Sequence, residues 1–176
     1  MASLGHIAVG MAAARSLHTP TNPGKLFGWM VAWSLLSMLP DADVIGFRFG
    51  VAYGDPWGHR GATHSLAFAG AVGLGIGALA RLGSLPALRM GLLATAVVAS
   101  HGLLDTLTDG GLGCALFWPF DPTRHFAPFR PIPVAPIGRH FISREGMRVA
   151  LTELVLFAPV FAFALWPRHQ TSGRAS

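Results

Sequence analysis

Residues 59–82 read HRGATHSLAFAGAVGLGIGALARL, and residues 87–107 read ALRMGLLATAVVASHGLLDTL. After Ser65 the first run carries no charge until Arg81, and the second carries none between Arg89 and Asp105 apart from His101. A membrane helix needs about 20 such residues, within a range of roughly 17–25, so both runs qualify. The link between them, residues 83–86, is short, which makes the pair an antiparallel hairpin. His59 and His64 open the first run, while His101 and Asp105 close the second, so all four fall at the same end of that hairpin.

Three further apolar segments lie at about 4–17, 26–40 and 147–167. The first two are short and would reach membrane length only by extending into their flanks. The expected fold is all-α: a polytopic membrane protein of about five transmembrane helices, forming a single integral membrane domain over residues 1–176. Composition agrees. Charged residues make up 12% of the chain, against roughly 25% in soluble domains, hydrophobic residues make up 52%, and the mean hydropathy is +0.49. A soluble domain of 176 residues cannot hide that much apolar surface.

Other classes drop out in turn. The net charge is +5, but Lys and Arg are spread thinly and form no block with interleaved aromatics, which argues against nucleic acid. Arginines flanking apolar segments suit anionic lipid head groups. Cys114 is the only cysteine, so no internal disulfide and no cysteine cluster is expected. GLGIG (residues 73–77) is no phosphate loop, because no strand precedes it and no Lys-Ser/Thr follows. The N-terminal segment lacks a basic n-region and carries His6 in its apolar run, so it is expected to stay in the mature protein.

An up-and-down path gathers the ionisable residues. His6 starts the first helix, Asp41 and Asp43 end the second, His59 and His64 precede the third, and His101 and Asp105 end the fourth. All seven then lie at one membrane face. Ionisable groups at membrane depth are costly and usually functional, and His with Asp suits Zn, Mn, Fe or Mg. His101 and Asp105 share a helix face at i, i+4. Gly10 would leave room beside His6, and Gly61 would permit the turn that aims both His59 and His64 inward. Seven candidate ligands exceed the three or four of a tetrahedral zinc, so one or two divalent ions are expected, with some residues behind them. Arg60 either snorkels to head groups or holds a phosphate oxygen, and Thr63 or Ser65 caps the third helix.

Residues 108–146 form the longest connection, rich in Pro and aromatics. Proline forbids a long helix there, and the aromatics suit a lid at the membrane–water interface. Arg124 and His125 in this lid are candidate contacts to an anionic substrate. His18, on the opposite side, and His140 and His169 are not expected to be ligands.

GHIAVG (5–10), LPDAD (39–43), HRGATHS (59–65), HGLLDTLTDGG (101–111) and FWPFDP (117–122) occur in this order. In that combination the chain resembles the YdjM-like family of inner-membrane-associated metal-dependent hydrolases, over residues 4 to about 122. The resemblance implies a bacterial or archaeal membrane protein with a His/Asp metal centre; it names no substrate. No motif is matched beyond about residue 140.

The function expected is a membrane-bound metal-dependent hydrolase of lipid metabolism, acting on a phosphoester of a lipid or other amphipathic anionic substrate. Arg60 would neutralise developing charge, and Asp41 or Asp105 would serve as general base. The alternative is a non-enzymatic membrane protein with a structural or transported metal ion. The expected location is the inner (plasma) membrane. Seven basic residues on the site side against six opposite nearly balance, and weighting short loops leans the site outward.

Overall fold

Alanine and glycine, rather than leucine, fill the interior. The computed structural model describes residues 3–17 and 23–167, the side chains of Arg139 and His140 excepted. His18, His169, Arg168 and Arg174 lie outside the described residues. The α-helices are α1 (Ser3–Leu17), α2 (Pro23–Ser37), α3 (Leu66–Leu82), α4 (Ala87–Thr106), α5 (Arg144–Leu156) and α6 (Ala158–Leu165). A 3₁₀ run, Leu39–Phe49, follows α2, and a short 3₁₀ turn, Ala62–His64, precedes α3. No strand occurs among the described residues, only two isolated bridges.

Two hairpins make the body: α1 packs on α2, and α3 on α4. α4 and the C-terminal pair α5 and α6 close against α1. Ala8, Ala14, Ala69, Ala94 and Ala164 are fully buried, whereas Leu82 is 84% exposed and Leu74, Leu79, Leu88 and Leu92 also face outward. Small residues inside and large apolar ones outside is the pattern of helices packed in lipid. Glycine sets two of the approaches. A Cβ on Gly10 would strike the backbone of Ser34 on α2, and one on Gly73 would strike Thr95 and Gly91 on α4. The room beside His6 that Gly10 was expected to leave is thus taken by the neighbouring helix.

The expectation of about five spanning helices is met only in part. α4, with 20 residues, is the one described helix long and apolar enough to cross a membrane alone. α2 with the following 3₁₀ run, and α5 with α6, would add two broken spans, bent by 50° and 63°. α3 is apolar but stops at 17 residues. α1 has 15 residues, about 22 Å of helix at 1.5 Å per residue, short of a hydrocarbon core of about 30 Å. Prolines account for both bends: Pro40 and Pro159 each sit in the first turn after the break, where the missing N–H costs nothing at a new helix start.

The long connection is ordered by backbone bonds. Ala115 N–H donates to the Arg60 carbonyl (3.0 Å) and Leu66 N–H to the Leu116 carbonyl (2.9 Å). Cys114 and His125 pair across the loop. The result is a strap fastened over the start of α3.

Candidate metal centre

His64 sits at the middle of the site. It ends the 3₁₀ turn at the mouth of α3 and is 2% exposed. The 3₁₀ run after α2 places Asp41 and Asp43 on two sides of its ring. Asp43 Oδ2 lies 3.2 Å from His64 Nδ1, and Asp41 Oδ1 lies 3.5 Å from Nε2. Runs of 3₁₀ helix longer than three or four residues are uncommon; here an 11-residue run turns residues two apart toward opposite edges of one imidazole.

The tautomer of His64 follows from its neighbours. Thr63 Oγ1 donates its single proton to Asp43 Oδ2 (2.7 Å) and lies 3.1 Å from His64 Nδ1. Both groups facing Nδ1 are therefore acceptors, and Nδ1 carries the proton. That leaves a lone pair on Nε2, aimed at Asp41 Oδ1 and at Asp105 Oδ2, 3.8 Å away. His101 repeats the arrangement from α4. Its Nδ1–H donates to the Ser37 carbonyl at 2.8 Å, and its Nε2 faces Asp41 Oδ1 at 3.3 Å.

Asp41, His64, His101 and Asp105 each offer one atom to a point where all lie within 4.8 Å of one another. His64 Nε2, His101 Nε2 and both oxygens of Asp41 are buried without a hydrogen bond. Lone pairs facing carboxylate oxygens in a dry interior repel unless positive charge lies between them. Two imidazoles and two carboxylates form a donor set that suits a divalent first-row ion, so the residues fit such an ion. Burial opposes charge on His64, yet Asp41 and Asp43 outweigh it and hold its pKa above the ordinary histidine value.

The other candidate residues stand around this set. Asp43 groups geometrically with His59 and His64. Its Oδ1 accepts from His59 Nδ1 (2.7 Å), and its Oδ2 also takes the Arg60 N–H (3.3 Å). One neutral imidazole cannot offer both nitrogens as ligands, so His64 serves one ion and Asp43 orients it from behind. His6 is fully buried, stacks on His101 with ring centroids 3.7 Å apart, and reaches Asp105 Oδ1 at 3.4 Å.

Of the two roles read for Arg60, one falls away. It does not snorkel: it is fully buried, with φ +64, in the left-handed region. Its Nε pairs with Asp105 Oδ2 at 2.9 Å and its Nη1 donates to the Gly110 carbonyl at 2.8 Å, while Nη2 is buried without a hydrogen bond. The strained residue of this turn is therefore Arg60, not Gly61. Gly61 is needed because a Cβ there would strike the carbonyls of Pro56 and Gly58.

Ser65 caps α3 by accepting from Phe68 N–H (3.1 Å), whereas Thr63 serves the cluster and caps nothing. Arg124 donates to the carbonyls of His59 (2.9 Å), Tyr53 and Asp55 (both 3.1 Å), and so clamps the loop that carries His59. His125 lies outside the cluster, half-buried against Phe117, with its Nε2 3.9 Å from Asp121.

The family model described as YdjM inner membrane protein matches residues 1–171. The chain belongs to this family. It is 41% identical over 152 residues to Inner membrane protein YbcI of Escherichia coli (strain K12), covering 85% of this chain and 86% of that protein. No solved structure matches. The family match extends well past residue 140, where sequence motifs give out, and there the structure supplies a residue that sequence reasoning passed over. Glu153 on α5 is 1% exposed and accepts from the first turn of α1. Ser37 and Thr63 were missed as well. One acts through its backbone and the other through a side chain that reads as a cap, so neither leaves a signal in the sequence.

Proposed function

We propose that this member of the family is a metal-dependent hydrolase of the inner membrane, cleaving a phosphoester of a lipid or similar amphipathic anion at the membrane surface. The observation that carries the reading is the meeting of Asp41, His64, His101 and Asp105, brought from three separate elements, with unbonded nitrogens and oxygens facing one point. Asp41, His64, His101 and Asp105 would hold a divalent ion, which would supply Lewis acidity and lower the pKa of water towards about 7.

The chain's own groups divide the remaining work. Asp105 is fixed by Arg60 and His6, which suits a ligand more than a base. Asp41 keeps both oxygens free of hydrogen bonds; with Oδ1 facing His64 and His101 as a ligand, its Oδ2 is the oxygen left to take a proton. Arg60 Nη2 is the donor left over for an anionic oxygen, as charge builds on a phosphoryl group. Tyr53 stands edge-on to His59 at 5.1 Å. Trp57 and Trp118 meet edge-to-face at 5.2 Å, and Phe120 is 90% exposed. Such a rim suits head-group depth, and five crossings by helices this short would thin the bilayer around them.

A second reading has an observation of its own. The four-residue set is buried, with His101 and Asp105 fully so, and a closed site is the mark of a structural ion. Metal analysis of detergent-purified protein, followed by assay on phospholipids and lipid phosphates, separates the two. Turnover that disappears in His64→Ala with the fold retained supports the enzyme; bound metal with no turnover on any lipid phosphate supports the staple.

A further inference from the structure

The buried carboxylate that the cluster does not use is Glu153. It lies on α5, in the C-terminal part of the chain where no motif points to a role. A carboxylate buried in an apolar helix is costly unless it is bonded. Glu153 Oε2 accepts from Leu4 N–H (2.7 Å) and Gly5 N–H (3.2 Å). These are orphan donors in the first turn of α1, which has no acidic residue of its own there. The cap is thus supplied from a residue 148–149 positions away.

A second contact falls at the same point. The Phe157 ring, at the bend between α5 and α6, lies against the Cα of Gly5, so a Cβ at Gly5 would strike it. Two side chains one turn apart, Glu153 and Phe157, therefore grip residues 4 and 5. The next residue is His6, stacked on His101 and in contact with Asp105.

We infer that Glu153, with Phe157, is a positioning clamp: it fixes the rotation and height of α1's first turn so that His6 holds His101 and Asp105 in place. This rests on the reading of the cluster as a metal centre, but its geometry does not. Partners standing behind metal ligands typically change affinity by about 10–100-fold when removed.

The test uses full-length protein in detergent, with two readouts. The first is the side-chain ¹⁵N–¹H spectrum of the histidines in metal-free protein. The second is Co(II) affinity and its visible absorption. Glu153→Ala should move the His6 resonances, confirmed by their absence in His6→Gln, and weaken Co(II) binding about tenfold. Glu153→Gln keeps an acceptor oxygen and should restore most of both. Phe157→Leu serves if Glu153→Ala does not fold, and should shift the same resonances. Met147→Ala, on the exposed face of α5, should change nothing. If Glu153→Ala and Phe157→Leu lower Tm but leave the His6 signals and Co(II) affinity as in the wild type, Glu153 is a staple between helices and the inference fails. If the wild type binds no Co(II), the metal reading fails, and the histidine spectrum alone decides the clamp.

Discussion

A single imidazole, His64, organises the cluster through its two nitrogens, and variants on its two sides should differ. Asp41→Ala and His101→Ala each remove a donor from the four-residue set, and metal content by mass spectrometry should fall to background. Asp43→Asn and Thr63→Val leave that set complete but release Nδ1. Metal should still bind, about 10–100-fold more weakly by competition with a chelator. Equal losses on both sides would contradict the assignment of ligand and support. Arg60→Lys keeps the charge but cannot reach the Asp105 carboxylate and the Gly110 carbonyl together from one point charge. Leaving one of these buried groups without its hydrogen bond costs about 1–3 kcal/mol, to be read as a drop in thermal unfolding temperature. At this scale the sequence was informative about residue type: the spacing of HRGATHS and SHGLLD and the alternation of helix ends picked out histidines and aspartates that the structure brings together. It was silent on orientation. Thr63 as a cap and Thr63 as a carboxylate partner have the same sequence, and only the backbone angle shows that Arg60 rather than Gly61 is the left-handed residue.

Among the elements, glycines separate close contact from mere flexibility. On α3, Gly73 faces α4, and any side chain there would meet Thr95 and Gly91, while Gly75 has open space around its Cα. Gly73→Ala should destabilise by about 1–3 kcal/mol through overpacking. Gly75→Ala should be neutral or stabilising, up to about 1 kcal/mol from helix propensity. Gly102→Ala tests the link from packing to site, because its Cβ would strike the His64 carbonyl. It should lower metal affinity as well as Tm, both read on the purified protein. The run GLGIG does not by itself reveal which of its glycines meets the neighbouring helix. Apolar content likewise located the helical segments while overstating their continuity, because Pro40 and Pro159 turn two of them into bent pairs. Hydropathy averages over a window and so passes straight across a bend.

For the whole molecule, the side on which the site opens is accessible to labelling. Cys114 is fully buried, and burial pushes its thiol pKa up to about 12, so a thiolate-seeking reagent should leave native protein unlabelled at neutral pH. The wild type is then its own background. Phe120→Cys and Ile142→Cys place thiols at positions 90% and 91% exposed. With an outward-facing site, a membrane-impermeant maleimide should label both on intact cells; labelling only after lysis would put the site in the cytoplasm.

The inversion of size between interior and exterior reaches beyond topology. Leu74, Leu82, Leu88 and Leu92 contribute little to the internal fit, which alanine, glycine and the buried His/Asp cluster supply. Affinity for lipid and identity of fold are written on separate sets of positions. Exchanging the outward large apolar residues for glutamine should yield a protein that stays dispersed without detergent and keeps its helical fold by circular dichroism, so the fold and its solvent can be redesigned one at a time.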